Sequence, residues 1–140
     1  MIRQALHRLE LSADRRGLFE ITPQVSRWVD QQNISSGLLT LFCPHTSASL
    51  VIQENADPKV RADLEAFFET IAPEAPGRYR HGAEGADDMP AHLRTALTQT
   101  QLAIPVEVGR LALGTWQGIY LFEHRRTPHR RAVVLHLIGE

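Results

Sequence analysis

Residues 102–138 read LAIPVEVGRLALGTWQGIYLFEHRRTPHRRAVVLHLI. Apolar runs of strand length, Leu102 to Val106, Arg110 to Leu113, Gly118 to Phe122 and Ala132 to Ile138, follow one another there. Glycine, proline and charged residues separate them, and no stripe at helical spacing intervenes. Strands that succeed each other without crossover helices pair antiparallel, because a parallel pair needs a long connection. The last third of the chain therefore predicts a largely antiparallel sheet.

Upstream, helices interrupt the strands. Ala5 to Leu11 alternates as a half-buried strand with Leu9 and Leu11 on one face, and Leu18 to Ile21 returns after the Arg15–Arg16–Gly17 turn. Thr22–Pro23 is a helix start, a hydroxyl cap followed by proline at the first helical position, and Val25, Trp28 and Val29 then share a face until about Asn33. Gly37 to Phe42 and Ser47 to Gln53 read as strands. Asp57–Pro58 opens the clearest helix, with Val60, Leu64, Phe67 and Ile71 on one stripe and Pro73 ending it. Residues 74–89 carry no periodicity and predict a long loop of the kind that often holds function. Pro90 starts a third helix to about Gln99, with Leu93, Ala96 and Leu97 inward. Segregated helices and strands of this order imply an α+β fold with about three helices.

A chain of 140 residues with 43% apolar content fits one domain, residues 1–140, with enough core to fold unaided. A metal, if bound, then serves function. The formal charge of −1 offers no field for nucleic acid or anionic membrane. Cys43 is the only cysteine, so no internal disulfide forms. MIRQALHRLELSADRRG at the N-terminus breaks every apolar run with a charge, leaving neither a signal sequence nor a spanning helix. These features place the chain in the cytoplasm.

Four segments carry residues suited to chemistry. Pro44 to Ser49 puts His45 at a strand junction with the hydroxyls of Thr46, Ser47 and Ser49, which could present a ring nitrogen and bind oxyanions, or could form an ordinary turn. Glu54 and Asn55 precede a helix start, where a carboxylate serves as ligand, proton acceptor or plain loop polarity, while Asp57 is placed as an N-cap. Tyr79 to His92 is the densest: His81, Glu84, Asp87, Asp88 and His92 lie close together in sequence. If Asp88 caps the third helix, His92 comes near it one turn on. Imidazole and carboxylate are ligands for zinc, manganese or related divalent ions, whereas an acidic turn facing the helix dipole would account for the aspartates alone. Gly114 to Gly118 predicts a tight bend open to a ligand or a neighbouring chain, and Glu123 and Arg125, two apart on a strand, could orient a histidine and hold a phosphate, or form a cross-strand ion pair. The run from His124 to Arg131 holds four arginines and two histidines and reads as a solvated basic hairpin.

Through HTSASL (His45 to Leu50), ENADP (Glu54 to Pro58), EGADDMPAH (Glu84 to His92), PV…GR (Pro105 to Arg110), GTWQGIYL (Gly114 to Leu121) and EHR (Glu123 to Arg125), the sequence resembles the YjbQ family along nearly its whole length. These are small bacterial and archaeal proteins also called secondary thiamine-phosphate synthases. The resemblance implies α+β subunits that associate as trimers with sites near subunit boundaries. It implies metal ligands at His45, His81 and His92, and acidic site residues at Glu54, Asp87, Asp88 and Glu123. The implied reaction joins an aminopyrimidine methyl pyrophosphate to a thiazole phosphate with release of pyrophosphate. A divalent ion (zinc, with manganese or magnesium as alternatives) would neutralise the leaving group, and Thr46, Ser47, Ser49 and Arg125 would hold the phosphates. The alternative is a non-catalytic trimer that binds a metal or a phosphorylated small molecule.

Overall fold

The computed structural model describes residues 1–140. Its elements, in chain order, are β1 (Arg3–Ala13), β2 (Gly17–Glu20), α1 (Thr22–Gln31), β3 (Gly37–Phe42), β4 (Ala48–Glu54), α2 (Pro58–Ile71), α3 (Asp88–Leu97), β5 (Gln101–Glu107), β6 (Arg110–Leu111), β7 (Gln117–Glu123) and β8 (His129–Gly139). The strands form two antiparallel sheets, β1-β8-β3-β5-β6 and β2-β7-β4. The fold is α+β with three helices, as the order of elements implies.

Alternation on the strands builds the core. Leu39 and Leu41, Ile104 and Val106, and Val133, Leu135 and Leu137 point inward from the larger sheet. They meet Ala48, Leu50, Ile119 and Leu121 of the smaller one, while Val25 and Val29 of α1 close an edge. The backbones come so close where β8 ends against β3 that a Cβ on Gly139 would lie 2.2 Å from the Ser36 carbonyl oxygen. On its other side the smaller sheet carries α2, with Phe68 edge-on to Phe122 at 5.4 Å between ring centres. No helix is long and apolar enough to cross a membrane.

The helices depart from their apolar stripes. Thr22 does not cap α1: its hydroxyl donates to Glu20 Oε2 and accepts from the Ile119 N–H. On α2 the face toward the sheet is Arg61, Leu64, Glu65 and Phe68, leaving Phe67 and Ile71 exposed. Polar groups on the sheet set that rotation, since Arg61 donates to the Tyr120 hydroxyl and Glu65 accepts from the Leu18 N–H. The α3 helix reverses expectation most: it buries Asp88, Pro90, Ala91, Arg94 and Thr95 and exposes Ala96 and Leu97. A buried charge needs partners, so the elements that supply them define the site.

The outer face of the larger sheet stays uncovered. Leu6, Leu38, Phe42 and Ile138 are exposed there. In register, Leu38 pairs with Ile138 and with Pro105, and Leu6 lies opposite His136.

Candidate functional site

Consecutive turns in the glycine-rich loop, Gly85 N–H to the Gly82 carbonyl and Asp88 N–H to the Gly85 carbonyl, lead the chain into α3. Gly85 has φ +114°, a conformation that favours glycine. Neither Asp87 nor Asp88 caps the helix with its side chain. Both turn instead to Arg125, which follows β7. Arg125 Nε donates to Asp87 Oδ2 (3.0 Å), its NH1 to Asp88 Oδ1 (3.0 Å) and its NH2 to the Glu84 carbonyl (2.8 Å). Burial pushes the Asp87 carboxyl upward, but hydrogen bonds from Arg125 and from the Arg126 N–H outweigh it and hold the group below its ordinary value.

With Oδ1 fixed by Arg125, the other oxygen of the nearly inaccessible Asp88 faces two imidazoles. Asp88 Oδ2 lies 2.6 Å from His81 Nε2 and 3.2 Å from His92 Nε2. Burial raises the Asp88 carboxyl, and the His81 hydrogen bond with the charges of His92 and Arg125 brings it below the usual range. His92 Nδ1 sits 2.8 Å from the Thr46 carbonyl oxygen. A carbonyl only accepts, so that nitrogen carries a proton and Nε2 is the ring atom left to face the carboxylate oxygen. Two lone pairs facing each other repel unless a cation, a proton or a metal ion, stands between them. One donor atom from each of His81, Asp88 and His92 lies within 4.8 Å of the others. A carbonyl-oriented histidine and an arginine-oriented carboxylate are the supports that metal ligands commonly have.

The other expected site residues fall elsewhere. His45 is outside this group of three; its Nε2 accepts from the Ala132 N–H at 2.9 Å. Glu54 Oε2 accepts from the Ala56 and Asp57 N–H groups, a turn ahead of α2, and Asp57 caps that helix through the Lys59 N–H. Glu123, fully buried, accepts from Arg131 Nε (2.7 Å) and NH2 (2.6 Å) and from two backbone N–H groups. Ser47 Oγ accepts from Arg131, and Ser49, fully buried, hydrogen-bonds His124 Nε2 at 2.9 Å. Thr46 lends the site its carbonyl. In the Gly114–Gly118 bend, Gly118 is needed for internal packing: a Cβ there would lie 2.6 Å from Glu20 Oε2 and 2.9 Å from Asn55 Cβ. The basic run is not a hairpin, since β7 and β8 belong to different sheets; Arg126 and Arg130 stay exposed, whereas Arg125 and Arg131 are covered and paired with carboxylates.

Sequence reasoning missed Arg94, His124 and Arg131 as buried polar residues. For Arg131 a signal existed: it shares the parity of the inward Val133, Leu135 and Leu137, as Glu123 shares that of Ile119 and Leu121. Burial pushes His124 down to about 3, with the charges of Arg94 and Arg131 adding to the effect. An unfolded chain takes up this proton near the ordinary value of 6.5 and the folded one does not. This contribution to stability is thus complete above pH 6.5 and falls as pH drops toward 3, by about 1.4 kcal/mol per pH unit. Denaturant unfolding at pH 7 and pH 5 should therefore show His124 alone contributing a loss of about 2 kcal/mol. His124→Gln should lack that share of the slope; an unchanged slope would contradict the assignment.

A family model described as UPF0047 protein YjbQ-like matches residues 7–140. The chain is 49% identical to a UPF0047 protein of Synechocystis over 138 residues, covering 99% of this chain and 94% of the relative. It is 45% identical to the UPF0047 protein YjbQ of Escherichia coli O157:H7, with 94% and 96% covered. In three dimensions it is similar to a YbjQ-like protein of unknown function from Sulfolobus solfataricus P2, at TM-score 0.88, 24% identity and full coverage of both chains. None of these relatives is described by an activity, and the third is stated to have no known function, so the expected thiamine-phosphate synthase activity is withdrawn. The geometry agrees: the Arg125 guanidinium and the Ser47 and Ser49 hydroxyls, expected to hold phosphates, have internal partners.

Proposed function

This chain belongs to the YjbQ-like UPF0047 family, and for it we propose a divalent-metal-binding function, with zinc as the ion and His81, Asp88 and His92 as ligands. The observation that carries this reading is the orientation of His92, whose Nδ1–H is spent on the Thr46 carbonyl while Nε2 faces Asp88. Two imidazoles and one carboxylate suit zinc better than magnesium, which prefers oxygen and water. The side chains of His81 and His92 are 46% and 30% exposed, so an exogenous ligand can approach from solvent. Zinc on three protein ligands keeps a position open and acts there as a Lewis acid. The carboxylates that would have handled protons, Asp87, Glu54 and Glu123, are engaged in ion pairs or turns, which favours binding over a dedicated catalytic apparatus. Calorimetric titration of chelator-treated protein with zinc should give one ion per chain and a higher melting temperature. No saturable binding would refute the reading.

The proposal extends to assembly and location. We infer a homotrimer that self-associates through the open sheet face, because contiguous exposed apolar surface marks an interaction site and Leu6, Leu38, Phe42 and Ile138 provide it. Light scattering should give three times the 15.7 kDa chain mass, and Phe42→Glu should lower it. A monomer at all concentrations would contradict this. A cytoplasmic setting is supported by Cys43, buried and with its thiol pushed by burial up to about 11.

A further inference from the structure

Outside the His–Asp cluster, the side chain with the least internal explanation is Arg94. It is 3% exposed on the buried face of α3. Its one hydrogen bond runs from NH2 to the Ala72 carbonyl (3.1 Å), and its Nε has no partner. A guanidinium stays charged in a protein, and a buried charge without a counter-ion is unfavourable. Arg94 lines a cavity of about 240 Å³ together with Arg16, Arg126, Glu65, Glu69 and Phe122.

The carboxylates around this cavity already have partners. Arg16 pairs with Glu69 (3.3 Å) and Glu74 (3.2 Å), Arg126 pairs with Glu74 (2.8 Å), and Glu65 accepts from the Leu18 N–H. Arg94 is the one arginine of the three that no carboxylate pairs with directly. We propose that this cavity binds the phosphoryl group of a small anionic ligand, with Arg94 at its floor and Arg16 and Arg126 at its mouth. The exposures match that arrangement: the Arg16 and Arg126 side chains are 23% and 55% exposed. A dianion fits better than a carboxylate. Arg16 and Arg126 already hold carboxylates, and a ligand that displaces an exposed glutamate must bring more charge than the glutamate did. Guanidinium groups meet phosphate oxygens in pairs of parallel hydrogen bonds, and Arg94 offers its free Nε for one of them.

This site is independent of the metal site, because Arg94 and His92 are two apart on α3 and project from different faces. The test is titration with inorganic phosphate in the presence of a chelator, so that a phosphate–metal complex cannot mimic binding. Wild-type protein should bind saturably, and Arg94→Met should weaken binding roughly tenfold to a hundredfold, the loss of one charge-assisted contact. Arg126→Met, at an exposed position that leaves the core alone, should weaken it less. Glu69→Gln should tighten it by removing one negative charge from beside Arg16, which keeps Glu74. Circular dichroism checks that each variant is folded. Absence of saturable phosphate binding, or binding unchanged in folded Arg94→Met and Arg126→Met, would overturn the proposal.

Discussion

Replacing Glu123 with alanine should lower the stability of the fold by about 3–5 kcal/mol, the usual consequence of leaving one half of a buried ion pair alone. The carboxylate is inaccessible and Arg131 is 6% exposed, so water cannot take over the lost contacts. Arg131 Nε and NH2 both donate to it at 2.7 and 2.6 Å, and the His124 and Arg125 N–H groups complete its four acceptor contacts. Truncation leaves a buried cation and the Arg125 N–H unsatisfied at once, while the His124 N–H keeps the Ser47 carbonyl. The melting temperature should fall by about 10–30 °C, at roughly 3–6 °C per kcal/mol for a chain of this size. Glu123→Ala with Arg131→Met should lose less than Glu123→Ala alone, because the orphaned charge goes too. A single variant as stable as wild type would mean that the pair does not exist in solution.

The second large effect belongs to the metal. His92→Ala removes a ligand, and Asp88→Ala removes the one carboxylate shared by both imidazoles. Each should weaken zinc binding by more than about 100-fold, beyond the 10–100-fold typical of supporting groups. Asp87→Ala should fall within that supporting range, since Asp87 only steadies the Arg125 that steadies Asp88. At zinc concentrations that saturate the wild type, the gain in stability should shrink in the same order, because stabilisation follows the logarithm of free ligand over Kd. Calorimetry on the three variants checks the gradient. Equal affinity across all three would remove the ligand assignment.

Where local pattern decides structure, the chain was legible. Apolar runs of strand length located β3, β5, β7 and β8, alternation put Leu9 and Leu11 on the core-facing side of β1, and the Asp57–Pro58 cap started α2 where it begins. The helical stripes failed because the helices rotate to satisfy polar partners. Phe67 and Leu97 are exposed so that Arg61 can reach Tyr120 and Arg94 can reach Ala72. The clustering of His81, Asp88 and His92 was visible because all three come from one loop and the helix it enters. The partners of the remaining candidates were not. Arg125 meets Asp87 and Asp88 across 38 and 37 residues of chain, and His45 meets Ala132 across 87. Spacing within a segment cannot report a contact made by tertiary packing, so Glu123 and Ser49 looked available when they were not, whereas Glu54 is engaged locally by its own turn.

The central claim is that His81, Asp88 and His92 together hold a metal ion, and X-ray absorption at the zinc edge of the reconstituted protein tests it most directly. The account predicts a shell of nitrogen and oxygen at about 2.0–2.2 Å with the signature of two imidazoles and no sulfur. That signature should fall to one imidazole in any zinc still held by His92→Ala. A sulfur scatterer near 2.3 Å, which would bring in Cys43, or a wild-type spectrum without imidazole, would contradict it.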